Sequence, residues 1–172
     1  MPSLGLVALV VTALGCTSVA NEANAQLQPP AQTPKRTSAL VNAVSDGDTV
    51  RATLAGGKTE RIRLWGIDAP EDSQAFGKES GAALRERVLN KKIEVEEKDR
   101  DRYGRLVAIL YIDGKDVNLE MIKLGLAWWY RQFAPDRVDY REAELEARRT
   151  KAGLWKDPNP TPPWDFRRQN PR

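Results

Sequence analysis

The chain has 172 residues, with 27 Lys and Arg against 24 Asp and Glu, no histidine and a single cysteine, Cys16. Without an imidazole or a pair of cysteines, it can build no His-based zinc site, Ser-His-Asp triad, Cys-His pair, zinc knuckle or internal disulfide. Acid–base or metal chemistry must come from carboxylates, and the 41% of apolar residues is enough for the core of one ordinary domain.

Residues 4–15 form an uncharged apolar run too short to span a bilayer comfortably, and Ala23-Asn24-Ala25 offers the small residues that a signal peptidase reads. The expectation is an export signal over residues 1–25, cleaved before Gln26, although no Lys or Arg precedes the run. The product would be secreted or periplasmic. Cys16 sits in Ala13-Leu14-Gly15-Cys16, a poor match to a lipid-attachment box, so a membrane enters only if Cys16 is lipidated. Residues 26–37, with Pro29, Pro30 and Pro34, read as a disordered spacer.

The domain is expected over residues 38–156. Ala39 to Val44 and Thr49 to Leu54 are β-prone, and the hairpin signal Ala55-Gly56-Gly57-Lys58 leads into a third strand, Thr59 to Trp65. There Arg61, Arg63 and Trp65 share one face and Ile62 and Leu64 the other. Gly77 to Leu89 reads as a helix, and Ile93 to Glu97 with Arg105 to Ile112 as a hairpin around the charged turn Lys98 to Gly104. Asn118 is the expected cap of a helix ending at Leu124 and Gly125. Val138 to Ala152 reads as the last helix, acids before bases, stopped by Gly153. The order β-β-β-α-β-β-α-α gives an α+β fold, a five-stranded OB-fold-type β-barrel with three attached helices. Residues 157–172, rich in proline, are expected to run as an extended tail pinned by Trp155, Trp164 and Phe166.

Three segments concentrate the chemistry. Asp46-Gly47-Asp48-Thr49 would put two carboxylates on one side of an extended chain, with Gly47 permitting close approach. Asp68-Ala69-Pro70-Glu71 adds two more on a loop stiffened by proline, and Asp101-Arg102-Tyr103-Gly104-Arg105 sets two arginines beside an aromatic. Each alone reads as an ordinary charged turn. An EF-hand is dismissed, because Asp46 to Leu54 supplies only the first two of its alternating ligands. A two-carboxylate glycosidase stays possible by composition but leaves the arginines without a task. Hard oxygens plus guanidiniums suit phosphoryl chemistry, in which a Ca²⁺ or Mg²⁺ neutralises a phosphodiester while arginine forks bind its oxygens. Glu71 is then the type of residue left to act as base.

In this order, Val44-Ser45-Asp46-Gly47-Asp48-Thr49-Val50, Arg63-Leu64-Trp65-Gly66-Ile67-Asp68-Ala69-Pro70-Glu71 and Asp101-Arg102-Tyr103-Gly104-Arg105 resemble the thermonuclease family typified by staphylococcal nuclease. The likeness continues through residues 118–127, Ala134-Pro135 and Gly153-Leu154-Trp155. It implies a Ca²⁺-dependent nuclease that cuts the 5′ P–O bond of DNA and RNA, preferring single strands and leaving 3′-phosphate ends. It further implies Asp48, Asp68 and the Ala69 backbone carbonyl as calcium ligands, with Asp46 in the outer shell. Arg63 and Arg105 match the arginines that grip the phosphate, Glu71 the residue that activates or orders the attacking water, and Arg102 and Tyr103 the substrate-side pair. Two departures stand out: Ala69 replaces a Thr, and Arg131 and Phe133 replace tyrosines of the nucleotide pocket. A monomer with no protein partner is expected. The competing class is a barrel that binds nucleic acid without cutting it, which would be expected to lack one of Asp48, Asp68, Glu71, Arg63 and Arg105.

Overall fold

The computed structural model describes residues 35–171. The expected export signal, Cys16 and most of the expected spacer lie outside the described residues. Alternating apolar residues build β1 (Arg36–Val44), β2 (Thr49–Leu54) and β3 (Thr59–Leu64), and a short β4 (Ile67–Asp68) follows. In β3, Ile62 and Leu64 point into the core while Arg61 and Arg63 face outward, as their alternation requires. Strand β1 starts at Arg36, ahead of the domain boundary expected at residue 38, because Arg36 is tied down: its guanidinium lies 3.5 Å from the Tyr111 ring centroid and 3.2 Å from Glu94.

The helix α1 (Gly77–Val88) leads to the long antiparallel pair β5 (Lys92–Arg100) and β6 (Leu106–Ile112). The charged turn is tighter than the expected 98–104, since β5 continues past a bulge between Glu97 and Asp99. Arg100 reaches across to Glu60 of β3 at 2.9 Å, and with Lys58 it holds the Glu60 carboxyl down to about 2, so the end of β5 is fixed by an ion pair that sequence spacing does not show. Strand order β3-β2-β1-β5-β6 is antiparallel throughout, and a parallel pairing of β3 with β6, Ile62 opposite Leu106 and Arg63 opposite Val107, closes the five-stranded barrel. Its core includes Val41, Val50, Ile62, Leu64, Leu106 and Leu110, all essentially without exposure. Burial of a side chain of this kind contributes about 1.5–3 kcal/mol.

Next come β7 (Lys115–Asp116), α2 (Val117–Lys123), β8 (Trp128–Trp129), α3 (Val138–Arg149), a 3-10 turn (Gly153–Lys156) and α4 (Pro163–Gln169). Asn118 does not cap α2. Asp116 does, accepting the Leu119 N–H at 2.9 Å, and the same carboxylate takes the Arg137 guanidinium at 2.7 Å and the buried Tyr140 hydroxyl at 3.1 Å, which seats α3 on α2. Asn118 lies inside the helix, fully buried, where its amide donates to the Trp65 and Ala108 carbonyls at 2.9 and 3.2 Å and accepts from the Leu110 N–H at 3.2 Å. An alanine there would strand buried backbone groups at a cost of about 1–3 kcal/mol each.

Helix α3 ends earlier than the expected Ala152. Lys151 takes a left-handed conformation (φ 55°) and the Ala152 N–H returns to the Ala147 carbonyl at 2.9 Å, the pattern that usually recruits glycine. Gly153 serves a different purpose: a Cβ there would collide with the Gly125 carbonyl, so the pair Gly125 and Gly153 brings the end of α2 directly against the 3-10 turn. Trp128, Trp155, Leu154 and Ala147 form a second, smaller cluster on that side. The tail is corrected as well, because residues 163–169 are a helix and not an extended path. Pro163 opens it, Asp165 sits in its first turn and Arg167 and Arg168 in its last, which is the charge order a helix dipole favours. The barrel therefore carries four α-helices among the described residues, one more than expected.

Candidate active site

Pairing of β4 with β8, Ile67 opposite Trp129 and Asp68 opposite Trp128, fixes Asp68 at one end of the barrel, where its carboxylate is fully buried. Arg63, on the outward face of β3, meets it: Nη2 donates to Asp68 Oδ1 at 2.7 Å and to the Ile67 carbonyl at 3.3 Å. The other Nη of Arg63 forms an ion pair with Asp48 Oδ1. Asp48 is buried too, and its Oδ2 accepts the Ala69 N–H at 2.7 Å, so the segment after β4 is hydrogen-bonded to the segment before β2. One guanidinium thus joins two buried aspartates from different loops. Burial lowers the proton affinity of Arg63, Asp68 and Asp46 oppose that effect, and the positive charge of Arg105 adds to it.

Residues 46–48 bend instead of extending, which corrects the expectation that Asp46 and Asp48 point the same way along a strand. Asp46 Oδ1 folds back to accept the Asp48 N–H at 3.0 Å, which orients Asp48 toward Ala69 and Arg63. Gly47 makes this possible: a Cβ on it would lie 2.7 Å from the Ala69 Cβ and 2.8 Å from the Ser80 Cβ. Ser80 in turn donates to the Leu126 carbonyl at 2.7 Å, linking α1 to the segment before β8.

Glu71 leaves the barrel on the loop between β4 and α1. That loop is held by mutual bonds with Gln74, whose side-chain oxygen accepts the Glu71 N–H at 3.2 Å while the Glu71 carbonyl accepts the Gln74 N–H at 2.8 Å. Arg105 stands just before β6, which pairs with β3, and is near enough to Arg63 for its charge to act on that guanidinium. Asp101 braces it, accepting the Arg105 Nε at 2.6 Å and its N–H at 2.9 Å. Burial alone would raise the Asp101 carboxyl, but these bonds from Arg105 win and hold it below the usual carboxylate range. Arg102 and Tyr103 stand on the exposed turn, where Arg102 Nη2 donates to the Tyr103 hydroxyl at 2.7 Å and Tyr103 is 68% exposed. Arg131 and Phe133 also face solvent, with Phe133 edge-on to Tyr130 at 4.9 Å between centroids.

One further residue of this site had no counterpart in the sequence motifs. Arg167 of α4 donates to both oxygens of Asp68, at 3.2 and 2.8 Å, and to Glu71 Oε1 at 2.9 Å. These bonds lift the Arg167 guanidinium above its ordinary value. Among the described residues no three carboxylate, Cys or His side chains converge as a metal cluster. What the site gathers is two buried carboxylates, the Ala69 backbone between them, Glu71 at the rim and three guanidiniums. Such an arrangement can bind a hard cation or a phosphate and can withdraw charge from it.

The family model described as staphylococcal nuclease homologue matches residues 61–157. A Haemophilus influenzae protein named "uncharacterized endonuclease" is 43% identical over 126 residues, 73% of this chain and 70% of its own. Micrococcal nuclease of Shigella flexneri is 38% identical over 135 residues, 73% of this chain and 77% of its own. A staphylococcal-like nuclease of Arabidopsis thaliana is 42% identical over 111 residues, which is 64% of this chain and 34% of the plant protein. Barrel, matched region and relatives agree, and the chain belongs to the staphylococcal nuclease family as a phosphodiester-hydrolysing nuclease.

Proposed function

We propose that this nuclease requires Ca²⁺ and acts on DNA and RNA, single strands before duplexes, breaking the 5′ P–O bond and leaving 3′-phosphate ends. The observation that carries the reading is the pair of buried aspartates, Asp48 and Asp68, joined by Arg63 beside Arg105. The donor set fits a hard cation: both side chains are acceptor-only carboxylates, and neither cysteine nor histidine occurs among the described residues. Asp48, Asp68 and the Ala69 carbonyl would hold Ca²⁺, Asp46 would support it from the outer shell, and water would complete its shell of about six to eight oxygens. When bound, such a cation neutralises a phosphodiester oxygen and orients water.

The chain's own residues do the rest. Arg63 and Arg105 fork onto the phosphate oxygens and bind more strongly as negative charge gathers there in the transition state. Glu71 orders the water that attacks phosphorus opposite the departing 5′-oxygen. Arg102 and Tyr103 hold the neighbouring nucleotide, and the exposed Tyr103 ring offers a stacking face that unpaired bases can use and paired ones cannot. Mass spectrometry of a single-stranded oligonucleotide cut in Ca²⁺ is expected to find fragments ending in 3′-phosphate. Fragments with 3′-hydroxyl and 5′-phosphate ends would overturn the assignment.

A further inference from the structure

The C-terminal helix reaches into this site from the far end of the chain. Trp164 stacks on Tyr130, ring centroids 5.3 Å apart and 8° from parallel, and meets Trp128 edge-on at 5.6 Å. Pro163 is buried beneath it, and the Gln74 amide donates to the Thr161 carbonyl, tying the start of α4 to the loop that carries Glu71. From this anchor Arg167 grips Asp68 as a fork, one Nη on each carboxylate oxygen, and one of the same nitrogens holds Glu71. Asp68 Oδ1 is shared with Arg63, and Oδ2 is held by Arg167 at 2.8 Å. A forked pair between a guanidinium and a carboxylate is among the strong ion pairs, and here the carboxylate is fully buried.

A divalent cation on Asp68 needs those same oxygens, and the Arg167 guanidinium both takes up their lone pairs and repels a second positive charge at contact distance. We propose that α4 is a built-in latch: Arg167 competes with the divalent cation for Asp68 and occupies Glu71, so the tail must release before the site fills. This rests on the reading of Asp68 as a cation ligand. By linkage, the observed cation affinity is the intrinsic one reduced by the fraction of molecules whose tail has released, and cation binding favours that release in return. The Trp164 stack sets how firmly the latch closes, because it fixes α4 without touching Asp68.

Calorimetric titration of Ca²⁺ into the full-length protein tests this with three variants, Arg167→Gln, Trp164→Ala and Asp68→Asn. Arg167→Gln and Trp164→Ala are both expected to bind Ca²⁺ about tenfold more tightly than the unaltered chain, within the usual range of such coupling. Trp164→Ala keeps the Arg167 charge, so its gain reports release of the helix and not a general change in local potential. A gain in Arg167→Gln alone, with Trp164→Ala at the original affinity, would overturn the latch. Equal affinity in the unaltered chain and both variants, with binding lost in Asp68→Asn, would overturn the latch and leave the Ca²⁺ reading standing. No binding by any form would overturn both.

Discussion

Replacing Arg63 with alanine is expected to lower kcat on single-stranded DNA by about 100- to 1,000-fold, the loss typical of a removed contact to transition-state charge. The same change should also destabilise the protein, and that double effect is specific to this position. Arg63 is the guanidinium paired with Asp48 and one of the two on Asp68, and all three groups are largely buried. Its removal leaves Asp48 buried without its counter-charge, which costs about 3–5 kcal/mol by the general behaviour of broken buried pairs. Urea unfolding in chelator should show that loss, and Ca²⁺ should recover part of it by replacing the missing positive charge. Arg63→Lys separates the two roles. It keeps the charge and should recover most of the stability, but a single ammonium cannot fork onto two phosphate oxygens, so turnover should stay low. A lysine variant with normal kcat would show that charge alone is needed.

Arg105→Ala is expected to lower kcat about 100-fold as well, with far less change in KM and almost none in stability. The contrast follows from position. Arg105 lies at the mouth of the site, its side chain is 23% exposed, and its partner Asp101 belongs to the same turn, four residues away. A pair of that kind typically contributes no more than about 1 kcal/mol to stability. Steady-state kinetics on a short oligonucleotide, read beside urea unfolding, distinguishes the two arginines. Equal losses in binding and turnover at Arg105 would make it a residue that only holds substrate.

The barrel was readable because its strands obey a local rule. Thr49–Leu54 and the start of α1 at Gly77 follow from apolar period and turn residues within a few positions. Even the corrected features had local signals: Asp116 is as good a cap residue as Asn118, and Pro163, Asp165 and the arginines at 167 and 168 mark a short helix. A seven-residue helix spans barely two turns, too few for an apolar period to announce itself.

The site was partly readable for a different reason. Motif order named Asp48, Asp68, Arg63 and Arg105, but neither the bend that turns Asp46 back onto Asp48 nor the bridging of two aspartates by Arg63 is a property of spacing. Arg167 meets Asp68 across 99 residues of chain, and nothing around either residue encodes the other. Such pairings are set by how α4 lands on Tyr130 and Trp128, which depends on the finished fold.

The most direct test of the central claim is the fate of single-stranded DNA incubated with the protein in Ca²⁺ and, in parallel, with an excess of chelator. Acid-soluble fragments should accumulate in Ca²⁺ and not in chelator. A folded protein that leaves the DNA intact in Ca²⁺, or that cuts it equally well in chelator, would contradict a site in which Asp48 and Asp68 hold the cation and Arg63 and Arg105 grip the phosphate.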